Sequence, residues 1–247
     1  MIAGLRLAAG FLTILPVRPT SEITRALARA AMLSGWLAVT PVALFAALLG
    51  WGARFLGAPD LLAGAIVVGA VAWGTRAMHL DGLADTVDGL GSGRSSEQAL
   101  QIMRRGDIGP MGVVALAVVI LAQAAAFGSL VGLPWGWVLA AAVLVASRAA
   151  LASGCATGVP PARPDGLGAL FASTVPRAAM IGLWSGMGLL LAGAGQLAGR
   201  PWWQAVLAVA LAFAGGQLLL ARCVRRLGGV RGGGVGGRGG GPGAVPG

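Results

Sequence analysis

The chain has 247 residues, 57% of them hydrophobic and only 11% charged, at a mean hydropathy of +0.83, whereas soluble domains run about 45–50% apolar and about 25% charged. So few charges cannot solvate a water-soluble globule of this size, and the 43 glycines keep no G-x-y period, which excludes soluble and collagen-like classes. The net charge of +10 rests on arginines scattered between apolar runs, a pattern that membrane topology explains better than nucleic-acid binding, so no nucleic-acid partner is expected.

The opening stretch MIAGLRLAAGFLTILPV has the length of a signal peptide but lacks a small-residue cleavage site, and is read as an uncleaved helix lying in the membrane interface. Six runs of spanning length follow, at 31–51, 61–78, 111–133, 135–156, 178–198 and 202–221. Pro41 predicts a kink in the first. Pro134 and Gly199-Arg200-Pro201 predict two tight hairpins. The expected fold class is therefore all-α, a polytopic membrane protein of about six spans plus an interfacial N-terminal helix. The membrane domain would cover residues 1–221, with 222–247 as a Gly/Arg-rich tail.

Arginine placement sets the expected orientation, because basic residues in short loops are retained in the cytoplasm. Only Arg54 and Arg200 fall in the connections of one side, and the other sixteen of the 18 basic residues fall on the opposite side. Both termini, and the long polar connections at about 78–110 and 157–177, should then be cytoplasmic, in a cell (inner) membrane. Cys155 and Cys223 show neither zinc-ligand nor disulfide spacing.

The chemistry concentrates in the first long connection. Of eight acidic residues in the chain, Asp81, Asp85 and Asp88 fall together in HLDGLADTVDGLGSG. If the second span's helix continues this far, positions i, i+4 and i+7 share one face within about 40°, with Cβ atoms of the i, i+4 pair about 5–6 Å apart. Such a stripe needs a counter-charge, and oxygen ligands without a second histidine favour Mg²⁺ over zinc. The plainer alternative is a solvated helix end whose acids face water. His79, the sole histidine, adjoins the cluster and is read either as a packing residue or as a substrate or base residue. Arg104 and Arg105 in QIMRRGDIGPMG suit phosphate recognition, or else anchor the loop at the membrane face. Asp107 can pair with one of them. Carboxylates holding Mg²⁺ opposite arginines suit phosphoryl or phosphodiester transfer, where catalysis is chiefly positioning and charge stabilisation.

HLDGLADTVDG at 79–89, followed by IMRRGDIGPMGVVAL at 102–116, resembles the adenosylcobinamide-GDP ribazoletransferase family, also called cobalamin synthase. GFLTILPV at 10–17, Ser147-Arg148 and ARPDGLGALF at 162–171 are similar to further segments of that family. The resemblance implies a Mg²⁺-dependent membrane transferase of cobalamin (vitamin B12) biosynthesis. It would join adenosylcobinamide-GDP to α-ribazole, or to its 5'-phosphate, and release GMP. Carried onto matching positions, Asp81, Asp85 and Asp88 would bind Mg²⁺ and the diphosphate, with Asp81 and Asp85 counted as catalytic. His79 would orient substrate or assist deprotonation, and Arg104 and Arg105 would neutralise the leaving GMP. Asp107, Arg148, Arg163 and Asp165 are further substrate-contact candidates. Association with other cobalamin-assembly enzymes is also implied.

The likeness holds to about residue 229, after which RGGGVGGRGGGPGAVPG replaces an acidic segment and an apolar span expected from the resemblance. Two readings arise: an out-of-frame end, which would put the activity of this polypeptide in doubt, or a basic tail on the anionic inner leaflet. Two other functions compete. A CDP-alcohol phosphotransferase-like lipid enzyme also clusters aspartates on a membrane helix, but its motif has an Ala-Arg after Asp-Gly and wider spacing. A cation or small-solute transporter would typically show related halves, and none is evident.

Overall fold

The computed structural model describes residues 2–18, 22–103, 107–162 and 167–229. Among them the chain forms eleven helices and no strand, apart from a single parallel bridge between Ala156 and Val175. Helix α1 (Ile2–Leu12) and helix α2 (Arg25–Phe55) pack together first. α1 buries Leu7, Ala8 and Leu12. A Cβ at Gly4 would stand 2.6 Å from that of Ala30, so the crossing is closed to any larger residue. The expected interfacial helix is thus also docked on the bundle. α2 starts at a Thr24 cap, whose hydroxyl accepts the Leu27 amide at 3.2 Å. It runs through Pro41 and turns Ala38, Val39, Val42, Ala43, Ala46 and Ala47 inward while Phe45, Leu48 and Leu49 stay exposed. That helical stripe makes α2 the central post.

Helices α3 (Asp60–Gly74) and α6 (Pro110–Val131) pack backbone to backbone. A Cβ on Gly64 would run into the carbonyl of Ala124, and one on Gly128 into the carbonyl of Asp60. With no hydrophobic drive between helices in lipid, this small-residue approach is what creates close dispersion contact. Helix α7 (Gly136–Ala146) and helix α8 (Ala149–Gly154) break only at Ser147-Arg148 and together make one span. Helix α10 (Arg177–Leu197) and helix α11 (Trp202–Leu227) form a hairpin across Gly199. An edge-on contact of Trp184 with Phe213, ring centres 5.4 Å apart, fastens it. The Trp184 indole N–H donates to the Ser153 hydroxyl at 2.9 Å and ties the hairpin to α8.

Five of these stretches, α2, α6, α7 with α8, α10 and α11, are long and apolar enough to cross a membrane, and a sixth if one bent pair counts as a span. That pair marks a departure from expectation. The second span does not continue into the aspartates. It ends at Gly74, and helix α4 (Met78–Gly91) leaves at 92° to α3. The stop is a Schellman ending, in which the Arg76 amide donates to the Trp73 carbonyl at 3.1 Å and the Ala77 amide to the Ala72 carbonyl at 2.6 Å. Helix α5 (Ser96–Ile102) and helix α9 (Leu167–Phe171) lie in the two long connections.

The tail boundary also shifts. α11 continues past Ala221 to Leu227 and is capped by Gly228 at φ +80°. Leu227 packs with Ala99, Leu100 and Met103 of the first long connection. A Cβ on Gly229 would sit 2.5 Å from the Ala162 nitrogen, so glycine alone lets α11 end against the second connection. Residues 230–247 lie outside the described part.

Candidate active site

The 92° turn presents α4 side-on, and the aspartates keep their i, i+4, i+7 spacing on it. They do not share one role. Asp88 reaches from α4 to the start of α6. Its Oδ2 accepts the Gly109 amide at 2.7 Å and its Oδ1 the Gly112 amide at 2.9 Å. Gly109 is the N-cap of α6 and Pro110 its first residue, so Asp88 supplies from another helix the cap that α6 lacks locally, with its negative charge at the positive end of the helix dipole. Both glycines are needed for that approach. A Cβ on Gly109 would lie 2.5 Å from Asp88 Oδ1, and one on Gly112 would crowd the same carboxylate. Asp85 is half-buried one turn earlier on α4, and Asp81 is exposed.

Among the described residues no group of three His, Cys, Asp or Glu is pre-assembled to hold a metal ion. Asp81, Asp85 and Asp88 remain on one helix, and Asp88 also serves as the cap of α6. Mg²⁺ commonly takes one or two carboxylates and completes its shell with water and substrate phosphate, so this donor set fits it.

Two cavities flank the first turn of α4, sharing Ala77 and Leu80. A cleft of about 510 Å³ is lined by Asp81 with Phe11, Arg76, Ile108 and Ile120. A cavity of about 300 Å³ is lined by His79 with Thr75, Gln123, Phe127, Ser147 and Arg148. Neighbours two apart on a helix point about 200° from one another, which is why His79 and Asp81 open into different spaces. His79 Nε2 lies 2.7 Å from Arg148 Nη1. A guanidinium can only donate, so Nε2 accepts and the imidazole is neutral with its proton on Nδ1. Arg148 itself is 8% exposed, and its Nε has no hydrogen-bond partner among the described residues. A buried cation at the wall of a cavity gives that cavity a positive electrostatic character suited to an anionic ligand.

Asp107 is exposed just before the start of α6. Arg104, Arg105, Arg163 and Asp165 lie outside the described residues. Sequence reading missed Phe11 and Arg76 as cleft-lining residues and gave the Asp88 cap no role. The Gly-Pro-x-Gly run at 109–112 is the visible signal for that cap, since Pro at a first helical position predicts a helix start in need of one.

The sequence comparisons bear on the same residues. The family model described as cobalamin-5-phosphate synthase matches residues 4–237. The chain belongs to the cobalamin-5-phosphate synthase family. It is 43% identical over 228 residues to an adenosylcobinamide-GDP ribazoletransferase of Nocardioides sp., covering 92% of this chain and 89% of that one. It is 38% identical over 239 residues to a protein of the same name from Bradyrhizobium diazoefficiens, covering 94% and 86%. A third, from Frankia casuarinae, is 37% identical over 71% of this chain and 66% of its own. No solved structure matches. The family match takes in every candidate residue above, and the two motifs that carried the resemblance are the two that Asp88 joins in space.

Proposed function

We propose that this chain transfers the adenosylcobinamide phosphoryl unit of adenosylcobinamide-GDP to α-ribazole or its 5'-phosphate. A ribose hydroxyl oxygen of the acceptor bonds to the cobinamide-side phosphorus, the bond from that phosphorus to the bridging oxygen breaks, and GMP leaves with the bridging oxygen. The hydroxyl proton passes to Asp81 or to a water beside it. The observation that carries this reading is the family match over residues 4–237, together with the placement of its Asp-rich motif on a helix that borders two cavities.

Asp81 and Asp85 would hold Mg²⁺, which supplies charge neutralisation for the diphosphate when bound. Asp88 fixes α6 against α4, each of its oxygens accepting one amide and keeping a lone pair that can still reach Mg²⁺. His79 acts as a donor through Nδ1 and orients substrate. Its other nitrogen is taken by Arg148, which argues against proton abstraction by this ring. Arg148 lines the same cavity as His79 and sets its charge beside the substrate. Following the resemblance, Arg104 and Arg105 would neutralise the leaving GMP, and Asp107, Arg163 and Asp165 would contact substrate. We place both termini and the site in the cytoplasm, following the arginine asymmetry.

The test is GMP release from adenosylcobinamide-GDP by purified membranes given α-ribazole and Mg²⁺, with and without chelator. Acceptor-dependent GMP and a new cobalamin product, both lost on chelation, are expected. GMP released without acceptor, or no corrinoid product at all, would overturn the assignment.

A further inference from the structure

A third groove, of about 420 Å³, opens beside the Asp81 cleft. Phe11 and Arg76 line both, so the two adjoin. Arg6 from α1, Arg18 from the segment after it and Arg76 from the α3–α4 turn all line this groove, and no acidic residue does. Among the described residues the one ion pair is Arg54 with Asp60, far along the chain, and none joins a described carboxylate to any of the three guanidiniums. Retention in the cytoplasm asks only that arginines lie somewhere in these loops. It does not ask that three converge on one concavity next to the aspartates.

Arg76 is placed at a cost. α2 and α10 close with the same pair of amide bonds as α3, and each uses a glycine at the left-handed position, Gly57 at φ +88° and Gly199 at φ +71°. α3 uses Arg76 at φ +54°, with Ala77 at φ +52° after it. A side chain there costs about 1–2 kcal/mol per residue over glycine. Arg76 Nη1 also donates to the Gly10 carbonyl at 3.2 Å, which holds the guanidinium over the groove. Strain of this kind gathers at ligand-binding sites, which agrees with the convergence of the three arginines.

We propose that Arg6, Arg18 and Arg76 form a phosphomonoester subsite that takes the 5'-phosphate of the acceptor nucleotide and sets its reactive hydroxyl against the Asp81 cleft. This rests on the transferase reading above. Three guanidiniums suit a dianionic phosphate, which accepts several charge-assisted hydrogen bonds, and they give an unphosphorylated nucleoside nothing to pair with.

The test is equilibrium binding of α-ribazole and of α-ribazole 5'-phosphate to the full chain in nanodiscs, once in phosphatidylcholine alone and once with added phosphatidylglycerol. Wild type should bind the phosphorylated acceptor at least about tenfold more tightly in both lipids. The R6Q/R18Q double variant should lose that preference and keep its affinity for the free nucleoside within about twofold, while R6K/R18K keeps part of the preference. Equal binding of the two acceptors by wild type, or an undiminished preference in R6Q/R18Q, overturns the subsite. Loss of the preference when phosphatidylglycerol is added, with lipid retained by wild type but not by R6Q/R18Q, makes the groove a lipid-headgroup site and also overturns it. Wild type that binds neither acceptor sinks the transferase reading itself, a result distinct from equal binding.

Discussion

Asp88 and Asp81 are chemically identical side chains with different work, and substitution should separate them. Asp88→Ala strips two backbone amides at the start of α6 of their acceptor. An unmatched buried donor costs about 1–3 kcal/mol. We expect a lowered thermal midpoint in detergent and a loosened junction of α4 with α6, read by protease susceptibility between residues 93 and 109. Asp81→Asn, by contrast, removes a charge from an exposed residue. Its midpoint should match wild type while transfer falls by about 10²–10³-fold, with Asp85→Asn losing transfer comparably. Wild-type turnover in both Asn variants would remove the metal pair from the mechanism. Residue spacing made the aspartate stripe legible, but it could not show that Asp88 reaches across to the start of another helix. That depended on Gly109 and Gly112 arriving from a helix more than twenty residues away. The position of His79 was not legible for a related reason: it is near Asp81 in sequence, but the helical twist turns it into the neighbouring cavity.

At the scale of elements, the long apolar runs read correctly because spanning length is a strong constraint. α6, α10 and α11 begin within a few residues of where hydropathy places them. The end of α3 did not read, since a left-handed Arg76 looks like any loop arginine while the same stop at Gly57 or Gly199 announces itself. Relieving that turn offers a check. Ala77→Gly should raise the thermal midpoint slightly, whereas Ala77→Val, β-branched at positive φ, should lower it clearly. The contact of α3 with α6 is less forgiving. Gly64→Leu or Gly128→Leu drives a side chain into a facing carbonyl and should abolish recovery of a monodisperse protein after detergent extraction. Folding of either variant with a normal midpoint would mean that the helices do not pack as described.

For the whole molecule, the expectation to test is orientation. In a background with Cys155 and Cys223 replaced by Ser, a cysteine at Ser96 in the first long connection should react with an impermeant maleimide only after the cytoplasmic face is opened. One at Leu56, beside Arg54, should react in intact spheroplasts. The reverse pattern would invert the topology. The sequence made the number of crossings and their charge bias legible because both are sums over many residues. The assembly of the site was not legible, because α1 and the α3–α4 turn meet there through single contacts such as Arg76 with the Gly10 carbonyl at 3.2 Å, and the end of α11 meets the two long connections just as locally, through Arg226 with the Arg94 carbonyl at 3.2 Å and Gly229 with Ala162.

The Asp88 clasp has one more consequence. It pins the start of α6 directly to α4, while α5 in the chain running between them packs on α4 as well, so the pieces are held by contacts across space. Severing the polypeptide at Gly93 and co-expressing the two pieces should still yield a complex that copurifies through either half, and swapping the residues that cap each other onto opposite pieces of unrelated length should do no harm to their pairing.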